Sequence, residues 1–183
     1  IPLAVLVATI RRDKGIEVLI DAVAKVRAPL QVVVAGGFGE ADYVDECRAR
    51  IDRHGLNETL QLLGPRTDVP DLLAAADLAV LSSHTESGPL VLLEYFAAGL
   101  PVAATRVGDI GRHFADAGVP GFVAPGDVDA LARALEAIVS SDASDRRARG
   151  ELGRQALARS WDIRSIMPRW YELYAELCTS GRE

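Results

Sequence analysis

The chain has 183 residues, 49% of them hydrophobic and 25% charged, with a formal net charge of −6. That size and composition fit one globular domain and exclude disordered and fibrous classes. The acidic balance excludes a nucleic-acid footprint, which needs a basic stripe; the charged segment Asp145 to Arg154 is mixed in sign.

In chain order, Leu3 to Ala8 reads as a strand. Lys14 to Val26 carries Ile16, Leu19, Ile20, Val23 and Val26 at helical spacing, so it reads as a helix. Leu30 to Ala35 is a second strand, ended by Gly36-Gly37. A helix over Asp42 to His54 is stopped by Gly55, and Leu60 to Leu63 is a short strand. Val69 to Ala75 is a short helix with Asp68 as the expected N-cap and Pro70 in its first turn. Leu78 to Ser82 is a strand. Gly88-Pro89 precedes a helix over Leu90 to Ala98 that Gly99 ends. Strands follow at Val102 to Thr105 and Phe122 to Ala124. Asp127 caps a helix over Val128 to Val139, and two more helical segments run from Arg146 to Ser160 and from Ile163 to Cys178.

Strand and helix alternate without hairpin signals, and Leu78-Ala-Val-Leu81 is continuously apolar. Both features predict α/β architecture: a doubly wound parallel β-sheet with helices on both faces, Rossmann-like, in a single domain spanning 1–183. Ligands of such sheets bind at the carboxyl ends of the strands. The loops at those ends are Thr9 to Gly15, Gly36 to Gly39, Gly64 to Asp68 and Ser82 to Pro89. Cys47 and Cys178 are too few for a disulfide framework, which suits a reducing compartment. No apolar run reaches the roughly 18 residues of a membrane span, and no signal peptide is visible, so a cytoplasmic location is expected. The chain opens on an apolar strand without Met, as a piece of a longer protein would.

The stretch Glu86-Ser-Gly-Pro-Leu-Val-Leu-Leu-Glu94 places two carboxylates around a helix start. The free N–H groups of Leu90 and Val91 make an anion site there, Pro89 lacks an N–H, and Gly88 allows close approach of a ligand. A phosphate is the natural guest. Glu86 would repel it but accept from hydroxyls attached to it. Glu94, about 6 Å further along the axis, suits a ribose diol. The plain alternative is that both glutamates are solvated. Lys14 is one of only two lysines against eighteen arginines, and it stands at a helix start where a point charge suits phosphate. The alternative for Lys14, Arg11 and Arg12 is a surface cation. Gly36-Gly-Phe-Gly39 lacks the dinucleotide spacing and reads first as a tight turn, with close ligand approach second. No metal site is expected: Asp127 and Asp129 form an acidic pair, but Asp127 starts a helix and suits a cap. His54 and His113 read as surface or satisfied histidines.

Ser83-His-Thr-Glu-Ser-Gly-Pro-Leu-Val-Leu-Leu-Glu-Tyr-Phe-Ala-Ala-Gly-Leu-Pro-Val102 resembles the signature of retaining GT-B glycosyltransferases of the glycosyltransferase family 4 (group 1) type. Lys14-Gly15, Val33 to Gly36, Leu63-Gly64, Gly121 to Asp127, Ser160-Trp161 and Tyr174 extend the resemblance from about Val7 to Leu177. It implies a nucleoside-diphosphate sugar as donor substrate, no other cofactor and no metal. It implies that Glu86 contacts the donor sugar, Glu94 the ribose, and Lys14 with Leu90 and Val91 the diphosphate, while Arg66 lies in the base-binding loop. Thr9 stands where the family commonly has an arginine, with Arg11 as the nearest substitute, and Arg112 replaces an acidic residue in the turn Gly108 to Arg112. The resemblance covers only the C-terminal, donor-binding half. It implies that an N-terminal acceptor domain lies outside this chain, and that any peripheral membrane association belongs to that half. A nucleotide-sugar epimerase of the same architecture and a non-catalytic nucleotide-sugar-binding domain remain as alternatives.

Overall fold

The computed structural model describes residues 1–180. Six parallel strands form one sheet in the order β3-β2-β1-β4-β5-β6, with β1 Leu3–Val7, β2 Gln31–Ala35, β3 Leu60–Gly64, β4 Leu78–Leu81, β5 Val102–Thr105 and β6 Phe122–Val123. The expected doubly wound sheet is therefore the one observed. Its order reverses between β1 and β4, the point where such sheets open a crevice.

The sheet's period of two divides the core into two layers. Ala4, Leu6, Leu78 and Val80 face helices α1 Ile16–Val23, α2 Ala41–Arg53 and α6 Val128–Val139. Val5, Ala79, Leu81 and Ala104 face α3 Val69–Ala75, α4 Val91–Ala97, α5 Gly108–Asp116 and α7 Ala143–Ser160. Each fully buried Leu, Ile or Phe contributes about 1.5–3 kcal/mol of transfer free energy. The last helix, α8 Ile163–Ser180, packs on α7 and leaves Ile163, Met167, Trp170, Tyr174 and Leu177 exposed. No described helix is long and apolar enough to cross a membrane.

Most boundaries fall within a residue or two of expectation, and three local readings are corrected. Lys14 lies not in α1 but in a single 3-10 turn, Arg12–Lys14, broken from the helix by Gly15 at φ 59°. Asp68 does not cap α3; its carboxylate is held by Arg66 instead, with Arg66 Nε donating at 2.8 Å. Helix α5 occupies a stretch read as a turn, because Val107, Ile110 and Phe114 present a buried stripe that outweighs Gly108 and Gly111. Asp127 does cap α6, accepting from Ala130 N at 2.8 Å.

The seam at the switch point is short. Strand β1 is registered to β2 from Leu3↔Gln31 through Val7↔Ala35, and β4 to β5 from Ala79↔Val102 through Leu81↔Ala104. Between β1 and β4 the register holds only Ala4↔Leu78 and Val5↔Ala79. Beyond it the side chain of Tyr95, wholly buried on α4, reaches the gap: its hydroxyl accepts from Val7 N at 2.8 Å and donates to the Val80 carbonyl at 3.3 Å.

Candidate functional site

The loops after β1 and β4 meet above this seam. Ser82 and Ser83 follow the apolar strand β4 and are fully buried, so their hydroxyls need partners. Ser82 Oγ donates to the Lys14 carbonyl at 2.9 Å, and Ser83 Oγ donates to Glu86 Oε1 at 3.0 Å. The buried Thr105 hydroxyl anchors the same loop from β5 by donating to the Ser83 carbonyl at 2.8 Å. His84 N donates to the Asp13 carbonyl at 2.9 Å. Gly15 closes the contact: a Cβ there would stand 2.2 Å from the Ser82 carbonyl oxygen, and its positive φ already favours glycine.

These ties bring two predicted residues together from 72 positions apart. Lys14 Nζ stands 2.6 Å from Glu86 Oε1, with both side chains about one-sixth exposed (17% and 16%). Glu86 thus accepts from both Lys14 and Ser83, which fixes its carboxylate where the two loops meet. A few residues on, α4 starts at Val91 behind its N-cap Leu90, itself in helical conformation, and the first bonds run from Leu92 N to Pro89 O and from Leu93 N to Leu90 O. Among the described residues nothing accepts from the N–H groups of Leu90 and Val91. Gly88 is outside the left-handed region, and a Cβ there would meet Ile110 Cδ1 at an ordinary 3.5 Å. Internal packing therefore does not demand glycine at that position.

The other predicted residues are placed less centrally. Glu94 lies exposed on α4, and among the described residues no hydrogen bond or ion pair reaches its carboxylate. Thr9 is exposed, at the rim of the β1 loop. Arg11 forms a fork with Asp13, Nε to Oδ1 at 3.0 Å and Nη2 to Oδ2 at 2.8 Å. That pairing raises the Arg11 pKa and lowers that of Asp13, which is also 3.5 Å from Lys14 Nζ. Arg12 turns away to α2, where it pairs with Glu46 at 2.6 Å and with Asp42 at 3.2 Å and lies over the Tyr43 ring. Arg66 is exposed and engaged with Asp68.

The glycine-rich turn after β2 does structural duty. Ile10 N donates to the Gly37 carbonyl at 2.8 Å and Gly39 N to the Ile10 carbonyl at 3.2 Å, so Gly36 to Gly39 braces the β1 loop. His84 pairs with Glu17 at 2.6 Å, and Glu17 also accepts from the Tyr43 hydroxyl. His113 is not satisfied as expected: its Nε2 is buried without a hydrogen-bond partner, edge-on to Phe114 and Trp161. It lines a cavity of about 550 Å³ with Trp161, Trp170 and Leu173, which shares no residue with the crevice. Among the described residues no group of three or more His, Cys, Asp or Glu side chains is placed to hold a metal ion. The roles of Tyr95, Ser82, Ser83 and Thr105 escaped the sequence reading. For Ser82, Ser83 and Thr105 the available signal was hydroxyl residues at the ends of buried strands.

A parallel sheet reversing its order beneath two interlocked, charge-bearing loops is a Rossmann-like α/β domain. The family described as glycosyl transferases group 1 matches residues 2–156, and the chain belongs to that family. An exopolysaccharide phosphotransferase of Streptomyces coelicolor is 36% identical over 146 residues, 76% of this chain and 15% of that protein. A D-inositol 3-phosphate glycosyltransferase of Arthrobacter sp. is 35% identical over 156 residues, 80% of this chain and 35% of that protein. Anabaena HepE, solved in complex with UDP and glucose, superposes with a TM-score of 0.84 at 28% identity, over 95% of this chain and 48% of its own. The solved neighbours are GT-B glycosyltransferases. The chain spans less than half the length of each of these three relatives.

Proposed function

We propose that this chain is the donor-binding half of a retaining, metal-independent glycosyltransferase of the family 4 type, and that its substrate is a nucleoside-diphosphate sugar. One observation carries the reading: Lys14 and Glu86 pair at 2.6 Å where the loops after β1 and β4 meet, and Glu86 precedes by a few residues a helix start whose Leu90 and Val91 N–H groups make no hydrogen bond among the described residues. A cation, a helix start and an acceptor carboxylate are what a pyrophosphate joined to a sugar needs, and these two loops supply all three. The family match and the UDP and glucose bound to HepE support it.

In this reading the diphosphate sits on Leu90 and Val91 N–H and draws Lys14 from Glu86. Lys14 then stabilises the charge that grows on the departing nucleoside diphosphate as the bond to the anomeric carbon breaks. Glu86, released, accepts from a sugar hydroxyl near the reacting carbon, where the transition state is oxocarbenium-like. Glu94, exposed and unengaged one helical turn along α4, takes the ribose diol. Arg66 borders the base, and Thr9 and Arg11 border the phosphates. Arg11 must leave Asp13 to reach them, so it is the secondary cation. The acceptor wall of the cleft comes from an N-terminal domain outside these 183 residues.

The direct check is isothermal titration of the chain with UDP-, GDP- and ADP-sugars. Weak binding of one of them is expected, with poor or no sugar transfer by the chain alone. A folded sample that binds none would remove the donor reading.

A further inference from the structure

We propose that Tyr95 is a positioning residue whose hydroxyl, inserted in the β1–β4 ladder, holds the switch-point crevice open for the diphosphate; this rests on the donor reading above. The register Ala4↔Leu78 and Val5↔Ala79 makes the next rung a bond from the Val7 N–H to the Val80 carbonyl. That rung is replaced. The Tyr95 hydroxyl stands between the two groups, accepting from Val7 at 2.8 Å and donating to Val80 at 3.3 Å. Both backbone groups are thereby satisfied, and the strands separate without leaving a buried polar group unpaired.

The separation is confined to this seam. Val7 remains registered to Ala35 on β2, and Val80 to Ala103 on β5. Tyr95 is 0% exposed, and burial raises its pKa, so the hydroxyl keeps the proton it donates to Val80. The strands it parts carry the two loops that bear Lys14 and Glu86, and its own helix begins at Val91. The hydroxyl therefore ties its own helix to both strands and keeps them apart beneath the two loops. A phenylalanine in its place would fill the core equally well but let the last rung close.

The test is Tyr95→Phe in the 183-residue chain, with Phe96→Leu as a neighbouring core control. A crystal structure of Tyr95→Phe should show Val7 N bonded directly to the Val80 carbonyl. Its Kd for UDP, GDP or ADP, whichever the unaltered chain binds, should rise roughly tenfold or more, because sites of this kind tolerate little displacement. Phe96→Leu should lower the melting temperature and leave that Kd unchanged. Strands still parted in Tyr95→Phe would overturn the inference. So would an unchanged Kd, or an equal loss of affinity in both variants, which would mark general destabilisation. If the unaltered chain binds none of the three diphosphates, the donor reading fails, while the Val7–Val80 separation in Tyr95→Phe still decides whether the hydroxyl holds the seam apart.

Discussion

Lys14 and Glu86 pair with each other, and their substitutions should separate two roles. Lys14→Ala removes the cation expected on the diphosphate, so nucleoside-diphosphate affinity should fall about ten- to a hundredfold, the scale of one charge-assisted contact. Glu86→Gln frees Lys14, so that affinity should hold or rise. Transfer by a protein carrying the acceptor domain as well should nevertheless drop about a hundred- to a thousandfold, the usual cost of removing one group that acts in the transition state. Titration calorimetry and single-turnover rates distinguish these outcomes. Equal losses of affinity in both variants would reduce the pair to a structural tie. The sequence identifies both residues because lysine is rare in this chain and because Glu86 precedes a Gly-Pro helix start. It does not show that Ser83 orients Glu86, or that Arg11 is committed to Asp13, since those bonds depend on how two loops fold over one another.

Among the elements, α7 shows how small residues substitute for an apolar stripe. Its first turn is capped by Asp142, which accepts from Ser144 N at 2.8 Å and Asp145 N at 2.9 Å, so the helix starts three residues before the expected Arg146. Its buried residues are Gly150, Gly153 and Ala156, a flat face laid against α4 and the turn after it. A Cβ at Gly150 would stand 1.8 Å from the Gly99 carbonyl oxygen, and one at Gly153 would stand 2.2 Å from the Phe96 ring. That ring is itself fixed against Phe114, with centroids 4.4 Å apart, so it has little room to yield. Gly153→Val should cost about 1–3 kcal/mol or more by overpacking, read from the urea midpoint. Gly37→Ala, with nothing within 4 Å of the added carbon, should stay within about 0.5 kcal/mol. If Gly153→Val left the midpoint unmoved, the close α4–α7 contact would be wrong. Helix α5 was missed for a related reason: glycine argues locally for a turn, and only burial of Ile110 and Phe114 against the sheet makes the helix stable.

At the scale of the molecule, the exposed surface is laced by carboxylate–arginine pairs. Arg11 lowers the Asp13 pKa, Arg12 lowers those of Glu46 and Asp42, Arg66 lowers that of Asp68, and Arg164 holds Asp162 at about 2. A carboxylate whose folded pKa is depressed adds stability above its unfolded pKa, and that stability is lost as pH falls through the folded value. The melting temperature should therefore be level above about pH 5 and decline from near pH 4 toward pH 2. Each pair is exposed and individually weak, so the decline should be gradual and should shrink in high salt. A melting temperature unchanged between neutral pH and pH 3 would contradict it.

By itself the sequence determined the alternation of strands and helices, the parallel sheet, the loops at the strand ends and the family. These follow from short-range periodicity and from one contiguous signature around Glu86 and Glu94. Only the tertiary structure decided which charges meet and where the sheet parts. The contact between Lys14 and Glu86 spans 72 positions, and the bond from Val7 to Tyr95 spans 88. No local pattern encodes a contact between segments so distant. Such contacts arise when the reversal of strand order brings the ends of β1 and β4 side by side and the packing of α4 sends a buried hydroxyl between them.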